Sequence, residues 1–284
     1  MRNIIELPQA VFIPEGGYQG HQPREIAEYV AGHLREAGIN VVIEDSFARY
    51  ADPDLKKDFG AIFQCWTNSP GPQVKSGRRN LAETAKLDAI DLSDDQRKEL
   101  RKQLLKQADE GPGITPEEMD GLLEFVWFGG GFPYVHGHGG DTLHGHHPYQ
   151  RLALFQWTDH FKGHIPEHDV IIVDRQNPVT RNMEDFKILN SEQYCGLIHP
   201  GKHTLAKTVF TGEHDHPGRP SMKGKEMAYA WHSICGYEDP KVKAKAGCES
   251  DGGRVAAFLG VHDLKDIVEG PPQVAQITFG NILY

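Results

Sequence analysis

The segment GGGFPYVHGHGGDTLHGHHP, from Gly129 to Pro148, combines a short apolar run with a loop of glycines and histidines. It contains five histidines, one aspartate and seven glycines. Histidine is the commonest metal ligand, and its unperturbed pKa lies close to neutrality. Glycine lets the backbone approach a ligand closely. The apolar run predicts a strand, and we expect the loop after it to hold the chemistry of the chain.

Two capping boxes mark the helices that precede this segment. Thr115-Pro-Glu-Glu118 has a proline at the first helical position, and it predicts a helix that ends at the Gly129 triplet. Ser93-Asp-Asp-Gln96 opens a second, highly charged helix of low apolar content. We interpret the stretch from about 69 to 112, which includes this charged helix, as a helical insertion on the surface.

The N-terminal part of the chain alternates between strand and helix patterns. AVFI at Ala10–Ile13 predicts a strand, and a glycine-rich loop follows it as far as His21. Pro23 fits the first turn of a helix, and Gly38 fits its end. INVVIED and FGAIFQCW, the latter ending at Trp66, predict two further strands. This alternation indicates a parallel sheet with helices packed on it.

The C-terminal half is expected to be rich in strands with few helices between them. YQRLALFQWTDHF, residues 149–161, predicts a helix. Strands are predicted for HDVIIVD, CGLIH, TLAKTVFTG, MAYAWHS and GGRVAAFLG, and PPQVAQITFGNILY is expected to form a terminal helix or an extended tail. The chain has no internal repeat and no long linker, so residues 1–284 are expected to form a single domain.

The composition excludes several classes of protein. The 284 residues carry a formal net charge of -10 with a pI of about 5.9, so no nucleic-acid partner is expected. No segment approaches the apolar length of a membrane span, and the N-terminus lacks the apolar core of a signal peptide, so we expect no membrane partner and a cytoplasmic location. The cysteines are widely spaced, which favours reduced thiols over disulfides or a zinc knuckle; they are Cys65, Cys195, Cys235 and Cys248.

Polar and aromatic side chains follow almost every predicted strand. In open parallel sheets, ligands bind beyond the carboxyl ends of the strands. The residues found at those ends are His21, Trp66, His136, His138, Asp141, Glu192, Tyr194, His199, His203, Trp231, His232, His262 and Asp263. A purely structural sheet does not require a histidine or a tryptophan at nearly every strand end, so we predict a functional site there.

The same residues carry a resemblance to a known family. GGGFPYVHGHGGDT is followed in order by FKGHIP, NPVTRNM, SEQY, AYAW and GGRVAAFLGVHD, between Gly129 and Asp263. This series resembles the motifs of the ThuA-like (trehalose-utilisation) family. The resemblance covers about half of the chain, with additional support from His21 and Trp66. Asn177-Pro178 departs from the family's usual His-Pro, and the insertion at 69–112 is also unusual.

The resemblance implies both a fold and a substrate class. It implies an α/β fold of the flavodoxin-like, class I glutamine amidotransferase-like type, with a mostly parallel sheet and helices on both faces. His136 falls where an amidotransferase places its nucleophilic cysteine, so a Cys–His mechanism is excluded there. Glu192, Tyr194, Trp231 and His262 would line the same pocket. The family points to sugar metabolism, and to 3-keto-glycosides or related oxidised sugars.

The histidines allow a metal-dependent mechanism. His136 and His138 are spaced i, i+2, so they would point to the same side if the strand continued. With His262 or Asp141 they could hold a divalent ion such as Zn²⁺, Mn²⁺ or Fe²⁺, and no nucleotide cofactor is expected. The predicted activity is that of a lyase or hydrolase. His136 or His138 removes the proton beside a keto group, or holds a divalent metal that polarises the carbonyl, and Glu192 or His262 protonates the leaving oxygen.

Contacts with a small carbohydrate substrate are assigned to a second set of residues. They are His21, Trp66, Asp141, Tyr194, His199 and Trp231. The two tryptophans would serve as stacking platforms for a sugar, although large aromatic side chains are equally ordinary in a core. The roles of His144, His146 and His147 stay open.

More than one function is compatible with these residues. One alternative is a non-catalytic carbohydrate- or metal-binding protein that uses the same pocket. Another is a metal-dependent, amidohydrolase-like activity on a non-sugar substrate. The sequence does not decide the oligomeric state, and a homo-oligomer is among the options.

Overall fold

A computed structural model describes the chain over most of its length. The described residues are 10–67, 113–140, 142–143, 149, 152–160, 164–198, 202–212, 223–235 and 252–284. The predicted helical insertion at about 69–112 lies outside these ranges. So do the candidate site residues Asp141 and His199 and the three further histidines His144, His146 and His147.

The N-terminal elements form a parallel sheet around the first strand. Strand β1 (Ala10–Gly17) pairs in parallel with β2 (Asn40–Glu44) and with two short strands, β3 (Ala61–Ile62) and β4 (Cys65–Thr67). Between β1 and β2 the chain forms a 3₁₀ turn (Gln19–His21) and helix α1. The strands predicted at AVFI, INVVIED and FGAIFQCW are therefore confirmed, the last as two short pieces.

Helix α1 (Pro23–Glu36) begins and ends where its sequence predicts. Pro23 occupies the first turn, where the missing backbone N–H costs nothing. The apolar positions of one face, including Ile26, Val30 and Leu34, are buried against β1, β2 and β4. Gly38 follows the helix with a φ of +82°, a conformation that favours glycine.

The next elements lead to the histidine-rich loop. A short helix α2 (Leu55–Asp58) precedes β3, and the capping box of Thr115 and Glu118 opens helix α3 (Pro116–Trp127), as predicted. Strand β5 (Phe132–Val135) follows, and all four of its residues are buried. A five-residue helix, α4 (His136–Gly140), begins directly at the end of β5.

The remaining strands form a mixed sheet and a separate antiparallel pair. Their bounds are β6 (Phe155–His160), β7 (Ile165–Ile172), β8 (Phe186–Ser191), β9 (Tyr194–Ile198), β10 (His203–Val209), β11 (Glu226–Cys235) and β12 (Gly253–Phe258). The order in the larger sheet is β5-β12-β11-β10-β7-β8, and β6 pairs only with β9 among the described strands. Only the β5–β12 pair of this larger sheet is parallel.

The two sheets meet along β5. Two isolated parallel bridges, Ala61 to Gly131 and Gln64 to Tyr134, connect the β3 and β4 region to β5. In spatial order, the strands β2, β1, β3, β5 and β12 therefore run parallel to one another. The strands that follow them, β11, β10, β7 and β8, alternate in direction. The expectation of a mostly parallel sheet therefore holds for the strands on one side of the molecule, up to β12, and not for the strands beyond it.

Two helices complete the described chain. Helix α5 (Leu264–Val268) is capped by Asp263, and helix α6 (Pro272–Leu283) packs against β5, β12 and α5. The C-terminal segment is thus a helix, which was one of its two predicted forms. No helix in the described ranges is long and apolar enough to cross a membrane.

The helix predicted for residues 149–161 is wrong in its second half. Phe155–His160 forms β6, paired antiparallel with β9. The sequence FQWT alternates apolar and polar residues, which suits a strand, but the preceding leucines and alanine favour a helix. The pairing with β9, about 40 residues further along the chain, decides between them, and a local pattern cannot show such a partner. The strand β8 and the short helix α5 are additional elements that the sequence patterns did not predict.

Candidate functional site

Three histidines meet at the carboxyl ends of parallel strands. His21 follows β1, His136 follows β5 and His262 follows β12. Glu192 joins them from the turn between β8 and β9. One side-chain donor atom from each of these four residues lies within 4.8 Å of the others. We call them the four-residue cluster, and its position is the one that parallel sheets use for ligands.

His136 stands at a sharp turn from strand to helix. Its φ is +41°, in the left-handed region that side chains other than glycine rarely adopt, and its side chain is fully buried. The imidazole Nδ1 donates a hydrogen bond to the Leu259 carbonyl oxygen at 2.9 Å, which fixes the proton on Nδ1 in the neutral ring. Its Nε2 faces Glu192 Oε2, 3.5 Å away, and forms no hydrogen bond with any residue in the described ranges.

His262 approaches Glu192 from a second direction. Its Nε2 lies 3.7 Å from Glu192 Oε2, and its Nδ1 lies 3.5 Å from Asp263 Oδ2. Burial, with the nearby His136, lowers the pKa of His262 to about 4, so the ring is neutral at pH 7. A neutral imidazole presents a lone pair, which is the form that binds a metal or accepts a proton.

Tyr194 completes the floor of the cluster. Its phenol oxygen lies 3.3 Å from His21 Nε2, and its ring lies over the His136 imidazole with ring centroids 3.7 Å apart. Both His21 and Tyr194 are buried. They close around Gly137, where an added Cβ would lie 2.8 Å from His21 Cε1 and 3.0 Å from the Tyr194 oxygen. The absence of a side chain at Gly137 is therefore a requirement of this packing.

His138 does not join the cluster as predicted. The prediction assumed that the strand continued, whereas α4 begins at His136, so the two histidines do not share one side of a strand. The His138 ring is fully buried, and its Nε2 donates a hydrogen bond to the His21 carbonyl oxygen at 3.1 Å. Burial lowers its pKa to about 3. His138 supports the backbone of His21 and is not placed to bind a metal with His136 and His262.

The two tryptophans belong to the core. The Trp66 indole packs on Phe47, with ring centroids 4.5 Å apart, and against Gly16. The Trp231 indole is fully buried between Tyr134 and Phe155. Neither presents an exposed face, so the predicted stacking platforms are wrong.

Three further residues lie beside the cluster, and the sequence reasoning did not assign them a role. His164 is exposed, and its ring centroid lies 4.6 Å from that of His262. Tyr18 is 42% exposed, and its ring stands edge-on to His21 at 5.2 Å. Asp266 is buried beneath the His262 backbone. His164 lies in the FKGHIP motif of the family resemblance, so that motif could have indicated it. No local sequence pattern distinguishes Tyr18 or Asp266.

Another pair of predicted histidines lies in a separate group. His203 Nε2 lies 2.6 Å from Asp174 Oδ2, and its ring centroid is 5.0 Å from that of His232. Burial lowers the pKa of His232 to about 4. These residues pair across β10 and β11, and they share no described contact with the four-residue cluster.

The donor set of the cluster fits a divalent metal ion. Three imidazoles and one carboxylate are the nitrogen and oxygen donors that Zn²⁺, Mn²⁺ and Fe²⁺ use. Ligands of a tetrahedral zinc lie about 3.4 Å apart, given bonds of about 2.0–2.1 Å. The separations of 3.5 and 3.7 Å between Glu192 and the two imidazoles are close to this value. The Leu259 carbonyl holds His136 in the orientation that a metal-binding ring requires.

A buried layer of polar residues supports the turn that carries Glu192. His168 Nε2 lies 3.0 Å from the Tyr229 hydroxyl, which in turn donates to the Glu192 carbonyl oxygen at 3.5 Å. His168 is 2% exposed, and burial lowers its pKa to about 4. The ring is therefore neutral in the folded protein, and charging it opposes folding.

This burial predicts a stability that depends on pH. The unfolded chain takes up a proton at His168 near pH 6.5 and the folded chain only near 4, so stability is lost as the pH falls between these values. His168→Gln can keep a bond to Tyr229 without titrating. From pH 7 to pH 5 the variant should gain about 2 kcal/mol in unfolding free energy relative to wild type. Urea unfolding at both pH values measures this; parallel losses in the two proteins would contradict it.

The fold and the cluster together define an α/β protein with a histidine–carboxylate site at the carboxyl ends of parallel strands. Neither a protein-family model nor a curated protein matches the sequence. Solved structures do share the fold. A protein described as ThuA-like from Bacteroides uniformis has a TM-score of 0.60 and 13% identity, over 96% of this chain and 89% of that chain.

Two further solved structures share the fold. A ThuA-like protein from Parabacteroides merdae gives a TM-score of 0.55 and 10% identity, over 97% of this chain and 89% of that chain. A cytoplasmic protein from Salmonella typhimurium gives 0.50 and 11%, over 97% of both chains. At such identities the likeness is one of fold. The resemblance to ThuA-like proteins that the motifs indicated is thus confirmed in the fold.

Proposed function

We propose that this protein is an enzyme of sugar metabolism, a lyase or hydrolase that acts on a keto-sugar or 3-keto-glycoside at a divalent-metal site. The site consists of His21, His136, Glu192 and His262. The observation that carries the proposal is the convergence of these four side chains, from four separate segments, on one point at the carboxyl ends of the strands. The proposal takes residues 1–284 as one cytoplasmic ThuA-like domain.

The contact between His136 and Glu192 supports a bound cation. Because Nδ1 of His136 donates to the Leu259 carbonyl, the neutral form of the ring would direct its Nε2 lone pair at the Glu192 carboxylate, 3.5 Å away. A lone pair and an anion repel each other in a buried site, where screening by water is weak. A positive charge between them removes the repulsion, and the third and fourth donors at this point favour a metal ion over a single proton.

The exposed fractions indicate which residues can reach a substrate. The side chain of His136 is fully buried, whereas those of His262 and Glu192 are 11% and 14% exposed. A divalent ion at this site would polarise the oxygen of a keto group. Because a carboxylate has two oxygens, Glu192 can hold the ion with one and accept a proton with the other.

The chain supplies the proton transfers of an elimination. A keto group acidifies the neighbouring C–H bond, and Glu192 would take that proton. The electron pair of the C–H bond forms a carbon–carbon double bond, and the glycosidic C–O bond breaks. Tyr194, whose phenol lies in the cluster, would donate its proton to the leaving oxygen. In this assignment Glu192 is the base in place of His136 or His138, and Tyr194 is the acid in place of Glu192 or His262. Nε2 of His138 is engaged by the His21 carbonyl in a fully buried position.

A sugar substrate is supported by the rim of the site and by the resemblance to ThuA-like proteins. Tyr18 is a partly exposed aromatic ring beside His21, and it can supply the stacking surface that the two buried tryptophans cannot. Its backbone is held by two hydrogen bonds with Thr67, at 3.1 and 3.3 Å. His164 and Asp263 add polar groups suited to hydroxyl recognition on the side of His262.

A non-catalytic metal-binding protein is the second candidate. Four protein ligands close the coordination of a tetrahedral ion, as in structural zinc sites, whereas catalytic sites keep one position open. The burial of His136 and the near-burial of His262 favour this candidate.

The two candidates are separated by metal analysis and a substrate screen on the same protein. We expect about one divalent ion per chain after purification without chelator. We also expect turnover of 3-keto-glycosides, but not of the parent glycosides, that chelation removes and that Zn²⁺, Mn²⁺ or Fe²⁺ restores. Bound metal without turnover would favour the binding protein. Turnover unaffected by chelation would contradict the metal-dependent mechanism.

A further inference from the structure

Asp266 connects the two segments that carry Glu192 and His262. Its side chain is buried, with 4% exposure, at the start of helix α5. One oxygen, Oδ2, accepts hydrogen bonds from Ser191 Oγ at 2.9 Å, from the His262 backbone N–H at 2.8 Å and from the Asp263 backbone N–H at 3.3 Å. Ser191 is the residue before Glu192, so a single carboxylate joins the end of β8 to the loop after β12.

The bonds to Asp266 restrict the distance between two members of the four-residue cluster. Glu192 and His262 lie on segments about 70 residues apart, and β8 and β12 are not neighbours in the sheet. Among the described strands, backbone pairing links these two only through the three strands between them, β11, β10 and β7. The hydrogen bonds of Asp266 hold both segments directly, and charged acceptors make stronger bonds than neutral ones. Glu192 Oε2 and His262 Nε2, one on each of these segments, lie 3.7 Å apart.

Burying the Asp266 carboxylate costs desolvation free energy, which its hydrogen bonds partly offset. Burial raises the pKa of Asp266, and the hydrogen bonds from Ser191 and from the His262 backbone act against that shift. An apolar residue in the same place would avoid the burial cost but would leave Ser191 and two backbone N–H groups without this acceptor. Ser191 and Asp266 are 1% and 4% exposed, so neither side chain is open to a substrate.

We infer that Asp266 is a positioning residue that sets the Glu192–His262 geometry and thereby the metal affinity of the cluster. This inference rests on the proposed metal site for its functional consequence. The geometric part stands on the hydrogen bonds alone.

The test compares four variants of the full-length chain. Asp266→Ala should lower the affinity for Co²⁺, used as the metal probe, by about 10- to 100-fold, which is the usual effect of losing a group that orients a metal ligand. Asp266→Asn keeps one acceptor oxygen and should recover most of that loss. Ser191→Ala removes only the bond on the Glu192 side and should fall between them. Asp174→Ala, which removes a carboxylate from the separate His203 group, should leave the affinity unchanged.

Two readouts distinguish positioning from general loss of structure. The visible absorption of bound Co²⁺ reports ligand geometry, and it should change in Asp266→Ala and return in Asp266→Asn. Circular dichroism checks that each variant is folded, and Ser191→Ala tests the inference if Asp266→Ala does not fold. Wild-type affinity and an unchanged Co²⁺ spectrum in folded Asp266→Ala or Ser191→Ala would overturn it.

A metal-independent measurement separates this inference from the proposed function. The ¹H–¹³C signals of the imidazole rings can be recorded without metal, and those of His262 should move in the Asp266 and Ser191 variants while those of His232 stay in place. If the wild type binds no Co²⁺ but these signals move, the metal site fails and the positioning role stands. If the His262 signals are unchanged, the positioning role fails whatever the metal result.

Discussion

Replacing His136 with asparagine should abolish turnover and metal binding while leaving the fold intact. The asparagine amide can donate to the Leu259 carbonyl as Nδ1 of His136 does, and asparagine tolerates the positive φ of +41° better than most residues. The variant therefore removes Nε2, the atom that faces Glu192, and little else. Metal affinity should fall by more than about 100-fold, since the substitution removes a ligand and not merely a group that orients one.

His136→Ala should give the same loss of activity with an additional loss of stability. It leaves the buried Leu259 carbonyl oxygen without its donor, which costs about 1–3 kcal/mol. His203→Asn is the matched control, because it removes an exposed histidine outside the four-residue cluster. Turnover, metal titration and thermal unfolding measure these outcomes. Full activity in folded His136→Asn would remove His136 from the site.

Gly137→Ala should reduce turnover almost as strongly as the His136 variants do. It should destabilise the fold less than His136→Ala does. The added Cβ would lie 2.8 and 2.9 Å from the Cε1 and Nδ1 atoms of His21 and 3.0 Å from the Tyr194 oxygen. These separations are too short for ordinary packing, so His21 and Tyr194 must shift. Enzyme sites lose about 100-fold in rate from displacements near 1 Å, and a loss of this order is expected here.

The matched control for this variant is Gly32→Ala. Gly32 lies in α1, and a Cβ there would meet nothing within 4 Å. Alanine is also the better helix former by about 1 kcal/mol, so this variant should be as stable as wild type or more so and fully active. Equal rates for Gly137→Ala and Gly32→Ala would show that the packing of His21 and Tyr194 around Gly137 does not matter for function.

The N-terminal half of the fold could be predicted because its signals are local. The boundaries of α1 follow from Pro23, from the spacing of its buried residues and from Gly38. The capping box at Thr115 likewise places α3, and the buried run after Gly131 places β5. The antiparallel half was harder, because the pairing of β6 with β9 and of β7 with β8 depends on contacts between distant segments.

The site could be predicted to the extent that topology determines it. His21, His136 and His262 were recoverable because parallel strands bring their carboxyl ends together. Glu192 and Tyr194 come from the antiparallel region, and they were predicted both from their positions at strand ends and from the family resemblance. The error at His138 has a single cause, since the i, i+2 rule holds only while a strand continues, and β5 ends at Val135.

Burial was the property that the sequence could not give. Trp66 and Trp231 lie at predicted strand ends, as the cluster residues do. The Trp66 ring nevertheless packs on Phe47, and the Trp231 ring packs between Tyr134 and Phe155. Whether a tryptophan faces a pocket or the core depends on neighbours from other strands. Asp266 was equally hidden, because its partners Ser191 and the His262 backbone lie in a distant segment and in the main chain.

X-ray absorption at the edge of the metal that copurifies with the protein tests most directly whether the four-residue cluster binds a metal. About one divalent ion per chain should be bound only by nitrogen and oxygen donors, with scattering from three imidazole rings at about 2.0–2.1 Å for zinc. The imidazole contribution should disappear in His136→Asn together with the ion. A metal-free wild type that turns over its substrate, or an ion whose imidazole shell is the same in wild type and His136→Asn, would contradict the account.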